Sequence, residues 1–144
     1  MQSSPARATS LGAPPLSPST KERLFIRLYE SQGLSSPTFC KETRELLEEV
    51  TDTSDKLHLT VKDFVRDEQE AQALGITRIP AFILQGHARG AVRYFGIPAG
   101  YEFSTLVEDL IDVSKGTTKL SEKTRQALTT VDQDLHIQVF VTPT

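Results

Sequence analysis

The chain has 144 residues, enough for one compact domain with a core, or one domain with appendages. Its 16 Lys and Arg against 19 Asp and Glu give a net charge of −3, and no basic stripe with interleaved aromatics occurs, which argues against nucleic acid as a partner. A single cysteine, Cys40, excludes an internal disulfide and cannot build a zinc site alone, so a reducing, cytoplasmic setting is expected.

His58, His87 and His136 stand far apart without ligand spacing, so neither a metal nor another cofactor is predicted. No apolar run approaches the roughly 20 residues of a membrane span, and no membrane partner is expected. The N-terminal Arg7 has no hydrophobic stretch behind it that would make a secretory signal.

Residues 1–20 are Ser, Pro, Ala and Gly without periodicity, and read as a disordered tail. The apolar run Leu24 to Tyr29 is a predicted strand, and Cys40 opens a helical stretch, Lys41 to Val50. That helix turns Phe39, Thr43, Leu46, Leu47 and Val50 to one face, with Cys40 at its edge. On its outer side the pairs Arg44–Glu48 and Lys41–Glu45 contribute about 0.2–0.5 kcal/mol each. Thr51 to Asp55 is turn chemistry, and Leu57, Leu59 and Val61 alternate with polar residues as a second strand.

Asp67 is a candidate cap for a short helix carrying Ala71 and Leu74, with Gly75 as its left-handed stop. Pro80 then opens a strand, Ala81 to Leu84, and a hairpin loop, Gln85 to Gly90, leads to another, Ala91 to Phe95. The sharp connection Gly96 to Gly100 feeds an amphipathic helix whose Phe103, Leu106, Val107, Leu110 and Ile111 are predicted to face inward, with Gly116 as its stop. Gly96, Pro98 and Gly100 read as turn geometry, and Tyr94, Phe95, Tyr101 and Phe103 as core and rim packing.

The order β-α-β-α-β-β-α gives two parallel strands joined by a right-handed crossover, then an antiparallel hairpin and a covering helix. This is an α/β sandwich on a four-stranded mixed sheet, residues 21–116. Residues 117–144 follow as a helix-strand extension: Ser121 caps a helix to about Thr130, and Leu135 to Val141 alternates as a strand. An uncovered strand invites association, so self-association through it is expected.

At the residue level Cys40 carries two readings. Free N–H groups and the helix dipole at a strand-to-helix turn stabilise a thiolate, whereas burial without a cation raises the thiol pKa. Pro80 also has two: a specialised cis bond, or a strand-opening proline where no N–H is needed.

Three stretches together carry a resemblance: Asp63-Phe64, then Leu74-Gly75-Ile76 with Arg78-Ile79-Pro80-Ala81, and then Val92 to Phe103, whose Gly96-Ile97-Pro98-Ala99-Gly100-Tyr101-Glu102-Phe103 is the most specific part. From about Lys21 onward the chain resembles the N-terminal half of the prokaryotic protein disulfide oxidoreductases, glutaredoxin-like proteins built of two thioredoxin-fold units. The N-terminal region of the flavoprotein component of alkyl hydroperoxide reductase is similar in the same places. The resemblance implies a thioredoxin-like sandwich, with Pro80 as a cis proline that aims the Ile79 backbone at a bound polypeptide. It also implies that Leu135 to Val141 is the first strand of a second unit, ahead of that unit's own C-x-x-C.

The family's first unit carries a C-x-x-C-like motif, and counting back from Asp55-Lys56 places Cys40 at its second, resolving position. Pro37 then stands where the nucleophilic cysteine would be, so a dithiol cycle within this unit is excluded. A shifted register would instead make Cys40-Lys41-Glu42-Thr43 a C-x-x-T motif, with Lys41 and Thr43 supporting a thiolate. Two functions follow as expectations. One is a redox-degenerate module that binds an extended polypeptide along Ile79-Pro80 or packs against a catalytic second unit. The other is a monothiol thiol-disulfide oxidoreductase with Cys40 as its catalytic thiol, acting on polypeptide or small thiol substrates.

Overall fold

The computed structural model describes residues 23–31 and 39–142. The predicted tail and Pro37 lie outside the described residues. The elements run β1 (Leu24–Glu30), α1 (Cys40–Asp52), β2 (Leu57–Asp63), α2 (Glu68–Ala73), β3 (Ala81–Gln85), β4 (Val92–Phe95), α3 (Tyr101–Lys115) and α4 (Glu122–Leu128). The sheet order is β2-β1-β3-β4. Leu24 pairs with Leu57 in the parallel β1–β2 ladder, and Tyr29 with Ala81 in the antiparallel β1–β3 ladder. This is the mixed four-stranded sheet that the order of elements predicts.

Strand alternation divides the core in two. Leu24, Ile26, Leu28, Phe82 and Leu84 meet Leu47 of α1 and Leu106, Leu110 and Val113 of α3 on one face. Tyr29, Ala81 and Ile83 meet Ala71 of α2 and Ile76 on the other. Each fully buried Leu, Ile or Phe contributes about 1.5–3 kcal/mol relative to exposure, so these faces dominate the folding energy.

The hairpin loop between β3 and β4 rests on the end of α3. Ala88 N–H donates to the Val113 carbonyl at 3.0 Å. Gly116 ends α3 with φ 65°, and a Cβ there would meet His87 Cδ2 at 2.8 Å, so this stop needs glycine twice over.

Several expectations change. Phe39 is 51% exposed with φ 73°, because it precedes the helix and turns the chain into it, and the helical period does not reach it. Phe103, Val107 and Ile111 are 38–46% exposed instead of buried. Leu106, Leu110 and Val113 form the contact stripe, and the neighbouring stripe looks across an open apolar groove of about 420 Å³ towards Val50 and Leu57. Asp67 stands at the start of α2 without a side-chain cap bond; its carboxylate accepts instead from Asp63 N–H at 3.1 Å.

The extension differs too. Ser121 caps α4 as read, accepting from Thr124 N–H at 3.1 Å. The strand predicted over Leu135–Val141 does not form: these residues have no ladder partner among the described residues. A strand is completed by a neighbour's backbone, and this segment lies at neither edge of the sheet. Residues 115–142 are exposed throughout. No helix among the described residues is long and apolar enough to cross a membrane.

Candidate functional site

The sheet brings the candidate residues to one end. β1 closes at Glu30, and since Tyr29 faces Ala81 across the ladder, Pro80 falls beside Glu30. Phe95 faces Ala81 from the other side. Glu30, Ser31, Cys40, Lys41 and Arg44 line a small cavity of about 160 Å³ at this end. Cys40 and the Ile79-Pro80 segment therefore both lie at the Glu30 end of the sheet.

The Ile79–Pro80 peptide is cis. The Pro80 carbonyl accepts from Gly96 N–H at 2.8 Å, which ties it to the end of β4. The Ile79 N–H and carbonyl make no backbone hydrogen bond among the described residues. Beside them the Arg78 guanidinium lies 5.0 Å over the Phe95 ring, a cation-π contact that gives the rim an aromatic and cationic edge.

Cys40 is the first residue of α1 and only 2% exposed. The groups that would hold a thiolate are engaged elsewhere. Arg44 donates to the buried Glu30 carboxylate through Nε at 3.2 Å and again through Nη2. Lys41 points outward, 3.5 Å from Glu45. The Thr43 hydroxyl and N–H both donate to the Phe39 carbonyl, at 2.6 and 2.9 Å. The C-x-x-T reading therefore loses its donor, because a hydroxyl has one proton and this one is taken. What remains in favour of a thiolate is the helix N-terminus itself.

A second polar group lies on the α2 face. Arg27 Nη1 and the Tyr29 hydroxyl both donate to Glu70 Oε1, at 3.1 and 3.0 Å, and Lys62 Nζ lies 3.1 Å from Oε2. Burial, then the Glu70 hydrogen bond and charge, push Tyr29 up to about 12. Burial also raises Glu70, but bonds from Lys62 and Tyr29 and the charges of Lys62 and Arg27 outweigh it and hold the carboxyl below its ordinary value. Burial, with the hydrogen bond to Asp109, likewise raises Tyr94.

Sequence reading missed Glu30, and the signal was present. Leu24, Ile26, Leu28 and Glu30 share one parity, so the strand's alternation carries a carboxylate towards the core, where it needs a cation. Among the described residues no group of three or more His, Cys, Asp and Glu is placed to hold a metal.

The sheet order, the two helices on one face and the cis proline at the thiol rim define the thioredoxin fold. Fasciola hepatica thioredoxin superimposes with a TM-score of 0.52 at 18% identity, covering 66% of this chain and 85% of that one. The relatives are those that the Gly96–Phe103 signature pointed to. A protein disulfide oxidoreductase of Aeropyrum pernix gives a TM-score of 0.65 at 23% identity, covering 78% of this chain and 50% of that one. The alkylhydroperoxide reductase AhpF of Enterococcus faecalis gives 0.66 at 18% identity, covering 76% and 52%. Its counterpart in Staphylococcus aureus, the F component of alkyl hydroperoxide reductase, is 29% identical over 114 residues. Those residues are 78% of this chain, which spans only 20% of that relative's length. No protein-family model matches the chain.

Proposed function

We propose that this chain is a thioredoxin-fold module of the disulfide-oxidoreductase kind that has lost the dithiol cycle and acts by binding an extended polypeptide along the Ile79-Pro80 rim. The observation that carries this reading is the state of Cys40: a lone thiol, 2% exposed, beside a buried carboxylate whose cation is already paired. The unbonded Ile79 backbone and the Arg78–Phe95 edge supply what a polypeptide needs, main-chain partners and an aromatic surface. A reducing, cytoplasmic setting suits a chain with one unpaired cysteine.

A monothiol reading rests on one feature, the position of Cys40 at the N-terminus of α1. In that reaction the Cys40 thiolate attacks a disulfide sulfur, a mixed disulfide forms, and the other half leaves as a thiolate. An external thiolate then attacks the mixed disulfide and frees Cys40.

Alkylation by iodoacetamide across a pH series, on the native and the denatured chain, separates the two. The binding reading expects slow reaction in the native protein and full release by denaturant. Fast native reaction, with an apparent pKa well below the free-thiol value of about 8.5, overturns it in favour of the monothiol enzyme.

A further inference from the structure

Beside the Ile79-Pro80 segment, the α2 face of the sheet carries an aromatic side chain and two arginines. Arg93 and Phe95 lie two apart on β4, so strand alternation turns both to the face of Ile83 and Ala81, their partners in the ladder. Arg78 reaches the same ring from the loop before β3, with its guanidinium 5.0 Å from the centroid. Arg93 Nε donates to the Leu74 carbonyl. Beyond these contacts neither guanidinium has an acceptor or a carboxylate partner among the described residues. Arg27 and Arg44, by contrast, are each engaged by an internal glutamate, Glu70 and Glu30. In a chain of net charge −3, two uncompensated cations this close together run against the overall balance.

We propose that this strip selects an acidic polypeptide: the extended segment taken along Ile79-Pro80 carries Asp or Glu one residue along from the one that faces Ile79, and its carboxylate pairs with Arg78. The inference rests on the polypeptide-binding reading above and adds the chemistry of the bound side chains. Ile79 offers an N–H and a carbonyl without backbone partners among the described residues. A strand that takes them sets its next residue opposite Arg78, because paired strands advance in step. The guanidinium there keeps its N–H donors for a carboxylate, whose two oxygens match its fork. The part of Phe95 left exposed gives the same segment an apolar contact.

Other partners fit less of the strip. A nucleic acid would match the two guanidinium groups, but it has no use for the Ile79 backbone, whose donor and acceptor suit a strand. A wholly apolar segment would leave both cations unused. A segment with Lys or Arg opposite Arg78 would be repelled by both arginines, so the strip rejects basic sequences as well as favouring acidic ones.

The test is an NMR titration of the isotope-labelled full chain with short peptides blocked at both ends: acetyl-Thr-Val-Asp-Val-Thr-amide and its counterparts with Asn or Lys in place of Asp. The expected result is movement of the Ile79 amide signal by the Asp peptide, with binding roughly tenfold weaker for Asn and weaker still for Lys. Raising the salt concentration should narrow the gap between Asp and Asn. Arg78→Gln, at an exposed position, should bring the Asp peptide down to the affinity of the Asn peptide. Equal affinity for Asp and Asn overturns the acidic preference and leaves polypeptide binding standing. So does a preference that survives Arg78→Gln. No movement of Ile79 with any of the peptides overturns the preference and the binding reading together. A short oligothymidine that moves the same signals at lower concentration than the Asp peptide overturns the proposal in favour of a phosphate ligand.

Discussion

β2 and the segment Leu135–Val141 carry nearly the same sequence signal, and their fates differ. Both have seven residues, with apolar side chains alternating at Leu57, Leu59 and Val61 in β2 and at Leu135, Ile137, Val139 and Val141 in the later segment. β2 lies against β1 through a full parallel ladder, Leu24–Leu57 to Glu30–Asp63, and packs on the core. The later segment has no ladder among the described residues and is exposed along its length. Alternation thus specifies which face of a strand is apolar, but the partner is supplied by the rest of the chain. Around β1 the crossover helix α1 returns β2 to its side, whereas α4 leads the later segment to no ladder among the described residues.

The largest effect that would sharpen this contrast is a matched pair of truncations. Leu28→Ala, inside the core, should cost about 2–5 kcal/mol of unfolding free energy in urea. Val139→Ala, measured in dilute monomer, should stay within about 0.5 kcal/mol. Equal losses would mean that the segment is packed after all.

The next effect concerns the site end of the sheet. Arg44→Ala leaves the Glu30 carboxylate buried without its cation, and should destabilise the protein by about 1–3 kcal/mol in the same assay. Adding Glu30→Gln should return part of that loss, because a neutral amide is easier to bury. If it returns nothing, Arg44 acts by packing alone.

The smallest effect is confined to the pH limbs. The folded Tyr29 keeps its proton up to about 12 against an ordinary 10.0, so its contribution is whole below pH 10 and fades as pH rises through 12. Glu70 has a lowered pKa, so its contribution is present above its ordinary 4.5 and fades as pH falls through the lower folded value. Tyr29→Phe should remove the alkaline fall in thermal stability that belongs to this group and weaken the acid one.

Much of the fold was legible because periodicity and turn residues agree. β1 to β4, α1 and α3 follow from alternation, 3.6-residue spacing and the stops at Gly75 and Gly116, and their order dictates the mixed sheet. The site was legible in part. Pro80 and Cys40 both lie at the Glu30 end of β1, since β1 and β3 run antiparallel from Tyr29–Ala81. The Arg44–Glu30 pair was missed because counting along the helix gives Arg44 a neighbour at Glu48, while the stronger partner comes from a strand 14 positions away. The Thr43 hydroxyl was likewise legible as a donor, but its acceptor, the Phe39 carbonyl, depends on the backbone at the helix start. The exposed stripe of Phe103, Val107 and Ile111 escaped for a related reason: a helical face about 100° wide reads as buried whether or not something lies across all of it.

The central position of β1 has a consequence for the order of events on the ribosome. β1 leaves the exit tunnel before either of its neighbours, and both ladders that hold it, to β2 and to β3, need chain that is still to be made. Leu24, Ile26 and Leu28 therefore lack their first neighbour until translation has passed Asp63 and their second until it has passed Gln85. At about 5–20 residues per second that interval lasts seconds, during which β1 exposes apolar side chains that a chaperone would shield.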